Sequence, residues 1–157
     1  MIGSLPLNIA AFLGALVVLT AGVRVLMVQQ DALATESLRE VAGSIAAAVD
    51  TLARRGSEGR VLLVGEGGAA PSHFRGSEYA LLFNATAVTL AWRSLSARAA
   101  FGGGLHPWPP ATGLTATAVA TRDATPLDIG SGLRVWAVRA PLETDGRTSW
   151  ATFLEVA

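Results

Sequence analysis

The chain has 157 residues, 51% of them hydrophobic, and its twelve basic side chains balance twelve acidic ones to a formal charge of zero. No net field exists to recruit nucleic acid. All the basic residues are arginine and there is no cysteine, which excludes a lysine Schiff base, a thiolate nucleophile, a disulfide and a zinc-thiolate site.

The first element is an apolar run from Leu5 to Val23 without a charged side chain. As a helix it spans roughly 28 Å, close to the thickness of a bilayer core. Pro6 falls in its first turn, where a missing N–H costs nothing. The run exceeds the apolar stretch of a secretory signal, has no basic flank before it, and passes into further helical pattern. It is therefore expected to stay on the chain as a membrane anchor or filament core, with membrane lipid as its first partner. Ala10 with Gly14, and Ala11 with Ala15, lie four apart, the spacing that lets helix backbones approach closely in lipid. Arg24 closes the charge-free run and can snorkel towards headgroups.

From 29 to 55 the pattern becomes amphipathic. Leu38, Val41, Ile45, Ala48 and Leu52 repeat at alternating three- and four-residue steps and draw one stripe that is expected to pack on the rest of the protein. Arg54 and Arg55 suit the C-terminal end of the helix dipole, and Gly56 reads as the stop. Residues 1–55 thus form one long helical element and 56–157 a separate all-β domain.

In that domain the period changes to two. Arg60 to Val64 reads as a strand and Gly65 to Ser72 as a plain loop, since its glycines lack the Gly-Lys-Ser/Thr ending of a phosphate loop. Glu78 to Phe83 and Ala87 to Arg93 flank a tight turn at Asn84-Ala85-Thr86, with Tyr79, Leu81 and Phe83 on one face. Those turn residues are also an N-glycosylation sequon, which matters only for an exported domain. Phe101 to Pro110 reads as a glycine hinge followed by a stiff, extended turn whose Trp108 is either a plug that caps the sandwich or an exposed contact residue, and Leu114 to Thr121 as a strand of small residues. Asp123 and Asp128 bracket a Thr-Pro turn. Leu133 to Ala140 and Ser149 to Val156 make the clearest hairpin, turned at Asp145-Gly146, with Trp150, Leu154 and Val156 inward.

The catalytic inventory is thin. His73 and His106 are the only groups with an ordinary pKa near neutrality, and they do not stand in metal-ligand spacing. The serines lack a nucleophile-elbow context. Neither an enzyme, nor a cofactor, nor a metal site is expected.

A long N-terminal helix, apolar then amphipathic, feeding one compact cysteine-free β domain resembles the archaeal type IV pilin-like proteins, including the accessory subunits of the archaellum. The resemblance rests on layout and covers the whole chain. It implies an α+β fold in which a transmembrane and amphipathic helix precedes a small antiparallel β-sandwich-like domain held outside the cell. It also implies self-association through the helix, and as partners the pilus or archaellum assembly machinery or an envelope protein. The family's processing signal, a basic residue followed by glycine, is represented here only by Met1-Ile2-Gly3, which makes Gly3 the candidate processing position. Asn8 would then be the fifth mature residue, where bacterial pilins and many relatives carry glutamate. The expected function is a structural subunit or accessory of a surface filament; the alternative is a non-polymerising membrane-anchored β domain that binds an envelope partner or ligand.

Overall fold

The structure is a computed structural model, described for residues 5–106, 125–129, 133–144 and 146–157. It is α+β: one long N-terminal helix followed by two β-sheets, neither closed into a barrel. Helix α1 runs without interruption over Leu5–Ala53. Its hydroxyls fold back on its own carbonyls, Thr20 Oγ1 donating to Leu16 O at 2.7 Å and Thr51 Oγ1 to Ala47 O at 2.7 Å. The helix ends two residues earlier than expected: Arg54 N–H still donates to Asp50 O, but Arg55 N–H closes a tighter turn onto Leu52 O. Gly56 is not left-handed, so it terminates the helix without the usual glycine cap. The chain divides into two compact units, Met1–Glu36 and Ser37–Ala157, and the second takes the C-terminal part of α1 together with the sheets.

The strands are β1 (Gly59–Val64), β2 (Tyr79–Phe83), β3 (Ala87–Trp92), β4 (Leu95–Ala100), β5 (Leu105–His106), β6 (Thr125–Ile129), β7 (Val135–Thr144) and β8 (Arg147–Val156). They form two four-stranded sheets, ordered β1-β7-β8-β5 and β4-β3-β2-β6. Pairing is antiparallel except for the short parallel match of β5 to β8. In the second sheet Leu81, Phe83, Val88 and Leu90 are all buried and Tyr79 joins them, as their alternation demands. In the first sheet β8 is buried on both faces from Ala151 to Leu154, with Ala151 and Phe153 on one side and Thr152 and Leu154 on the other.

Several expectations need correction. The buried residues of α1 are Ala34, Leu38, Ala42, Ile45, Ala46, Val49 and Leu52, whereas Val41 and Ala48 are only half-buried. Leu38, Ile45 and Leu52 keep their expected places, and the stripe extends to Ala42, Ala46 and Val49 instead of Val41 and Ala48. Segment 95–100 is a strand that the pattern did not announce, and the Thr-Pro turn proposed between Asp123 and Asp128 is replaced at Thr125 by β6. His106, expected in the stiff turn after the glycines, belongs to β5. On β8 only Leu154 of the three expected inward residues is buried; Trp150 and Val156 are exposed, because the strand outruns the core at both ends. Gly3, Trp108, Asp123, Asp145 and the proposed strand Leu114 to Thr121 lie outside the described residues.

Candidate functional site

The exposed apolar surface of α1 dominates the first unit. Every residue from Ile9 to Leu33 is exposed, including Phe12 at 70% and Val18 at 73%. Large side chains face every direction: Leu13, Leu16, Val17 and Leu19, then Val25, Leu26, Met27 and Val28 beyond Arg24. An apolar girdle without a polar face has no stable arrangement in water, and its transfer to an apolar phase is worth on the order of 20 kcal/mol or more. A helix is one of two backbone forms that satisfy all their own hydrogen bonds in lipid. Thr20, the hydroxyl inside this stretch, is already bonded to Leu16 O, so Arg24 is the one charged side chain between Ile9 and Asp31. The exposed apolar surface continues beyond the charge-free run, through Val25, Leu26, Met27 and Val28. Ala10, Ala11, Gly14 and Ala15 are all exposed, and a Cβ added at Gly14 meets nothing within 4 Å. This leaves their surface open to a neighbouring helix.

In the second unit the last turns of α1 are fastened to the sheets by polar contacts. Asp50 Oδ1 accepts from Gly102 N at 2.8 Å and Gly103 N at 3.3 Å, tying the loop between β4 and β5 to the helix. The fit there is tight, since a Cβ built on Gly103 would stand 2.6 Å from Ala53 Cβ. Arg139 of β7 donates through Nε to Arg55 O at 3.3 Å and through Nη1 to the buried Thr152 Oγ1 at 3.1 Å. On the opposite face of the same sheet, Arg60 stacks 4.1 Å from the Trp136 ring centroid and pairs with Glu155 at 3.0 Å.

The titratable groups do not converge. His73 is exposed, with Ser72 Oγ at 3.3 Å from Nδ1. His106 lies 5.6 Å from the Phe153 ring centroid, and desolvation holds its pKa below the ordinary imidazole value. Burial pushes the Tyr79 phenol up to about 12, and its hydroxyl donates to Pro71 O at 2.5 Å. Among the described residues no group of three His, Cys, Asp or Glu side chains could hold a metal. An open groove of about 510 Å³ follows the Gly65–Ser72 loop, and Glu66 is the one charged side chain in its lining. These groups offer no nucleophile–base pair.

Family models, curated proteins and solved structures were all searched, and none matches the chain. Function therefore has to be argued from the chain itself. Asn84, the sequon residue, is half-buried at the turn between β2 and β3, where its Oδ1 accepts from Thr86 N at 3.0 Å and Ala87 N at 2.7 Å; Ala85 and Thr86 are exposed. Sequence reasoning missed Asp50 as the fastening of the helix end. The signal was present in a half-apolar helix carrying one acid near its end and a Gly102-Gly103-Gly104 run whose N–H groups need an acceptor.

Proposed function

We propose that the chain is a structural subunit or accessory of an extracellular surface filament of the type IV pilus or archaellum kind, anchored and assembled through α1 with its β domain outside the cell. The observation that carries this reading is the two-part character of one continuous helix: apolar on all sides from Ile9 to Val28, then buried along a single stripe from Leu38 to Leu52. Such an element holds its first half in lipid before assembly and among other helices afterwards, while its second half belongs to the domain it carries. Partners on this reading are further copies of the chain, the assembly machinery or an envelope protein, and membrane lipid. Asn84 would carry a glycan on the exported domain.

The test is fractionation of the native source followed by electron microscopy and intact mass. The chain should be in the membrane or in sheared surface filaments, with Leu5 to Val23 intact. A soluble protein lacking that stretch would overturn the proposal. A second reading, a non-polymerising membrane-anchored β domain, is favoured by Asn8 standing where many pilins have glutamate. It predicts monomers or small closed oligomers in every detergent.

A further inference from the structure

The two open sheets have four edge strands, β1, β5, β4 and β6, and three of them are guarded. The loop after β1 folds back on it, Ala69 N donating to Leu62 O at 3.1 Å and Ala70 N to Leu63 O at 2.7 Å. Among the described residues strand β5 is two residues long. For β6, the bond from Asn84 N to Ala87 O at 3.0 Å sets the alternation in β2. Across the β2–β6 register, Thr125, Leu127 and Ile129 then face β2, leaving Pro126 and Asp128 on the free side. A proline there has no N–H to offer and blunts the edge.

Strand β4 has no such protection. Phe101 N donates to Thr86 O at 2.9 Å, and with the β3–β4 register this turns the backbone groups of Leu95, Ala97 and Ala99 towards β3. The N–H and C=O groups of Ser96, Arg98 and Ala100 point outward. All three residues are exposed, the strand holds no proline, and among the described residues nothing pairs with that side. A straight edge of six residues in this state is a template for another strand.

We propose that β4 is a self-pairing edge, at which two copies of the chain join β4 to β4 antiparallel about a two-fold axis through Ala97, merging the two β4-β3-β2-β6 sheets into one. The occupant follows from the side chains. Centring on Ala97 brings outward-facing residues into register and sets Arg98 opposite the partner's Ser96, whose hydroxyl accepts from a guanidinium. Centring on Arg98 instead would oppose two like charges. In the inward row Leu95 meets the partner's Ala99, and Ala97 meets the partner's Ala97 at a Cβ separation of about 4.5–5.5 Å. Ser96, Ala97, Ala99 and Ala100 are small enough for two strands to meet flush. Such an interface is isologous and closes as a dimer instead of propagating. It stands independently of the filament reading.

The test uses the full chain in detergent micelles, where the absence of native cysteine gives a clean background. Under mild oxidation Ala97→Cys should form a disulfide-linked dimer in most of the protein. In the Ala97→Cys background, Ser96→Arg should lower the yield about tenfold by opposing like charges, and the exchange Ser96→Arg with Arg98→Ser should restore it. Both positions are exposed, so melting should be unchanged. Ala97→Cys remaining a free thiol in a protein that melts like the parent would overturn the proposal, as would a yield indifferent to Ser96→Arg. Dimers abolished by Gly14→Ile yet indifferent to the β4 changes would also overturn it, while leaving assembly through the helix standing.

Discussion

The two halves of α1 share a backbone and differ in what surrounds them. Between Ile9 and Val28 large apolar side chains are exposed on every side. Between Leu38 and Leu52 the buried residues are confined to one stripe, with Glu40 and Ser44 exposed. Total hydropathy and its periodicity thus carry separate information. Apolar character all round specifies a non-aqueous surrounding, whereas a stripe specifies a protein partner. Neither half is explained by helix propensity, which is similar in both.

A charge placed in each half separates these roles most sharply. Ile45→Asp puts an unpaired carboxylate at a fully buried position and should destabilise the β domain by about 3–5 kcal/mol, enough to abolish a cooperative thermal transition. Val18→Asp should leave that transition intact and instead oppose membrane insertion by about 2.5–3.5 kcal/mol, read as protein shifted to the soluble fraction. If Val18→Asp lowered the melting temperature as much as Ile45→Asp, the two halves would not be distinct in the way argued.

The division between the halves was legible because it rests on side-chain volume and period, which are properties of the sequence. So were the β2–β3 and β7–β8 hairpins, whose turns carry Asn84 and Gly146, the latter at φ 72°. So were Leu38, Ile45 and Leu52 of the stripe. Ala42 and Val49 in place of Val41 and Ala48 were not, because both members of each adjacent pair are apolar and periodicity alone does not separate neighbours about 100° apart on a helix. Strand β4, Leu-Ser-Ala-Arg-Ala-Ala, has little β propensity of its own; it forms because β3 supplies a ladder and Arg93, at φ 54°, makes the tight turn between them. Strand β6 contains Pro126 and Asp128, which read as turn chemistry, and its edge position is what tolerates them. Asp50 was invisible as a fastening because its partners, Gly102 and Gly103, lie some fifty residues away along the chain.

The junction in the second half predicts intermediate effects. Asp50→Ala removes the acceptor of two backbone N–H groups and should cost about 1–3 kcal/mol in thermal or denaturant unfolding. Gly103→Val should cost a similar 1–3 kcal/mol, because its Cβ would collide with Ala53. Combining Gly103→Val with Ala53→Gly should recover part of that loss. No recovery would mean that the strain lies in the loop rather than against the helix.

The smallest effect is a pH dependence confined to the second half. Desolvation lowers the pKa of His106, so the folded domain binds a proton there less readily than the unfolded chain, whose imidazole titrates near 6.5. In the window between the lowered folded value and 6.5 the unfolded state holds more protons, and stability therefore rises with pH. The contribution is present above about pH 6.5 and is lost as pH falls through the folded pKa. Solvent still reaches part of the ring, so the change should be a few degrees in melting temperature at most. His106→Gln should flatten the melting profile between pH 7 and 5 while preserving the short pairing of β5 with β8, whose hydrogen bonds are main-chain. If His106→Gln left the profile as steep as before, the pH response would not come from the ring packed beside Phe153.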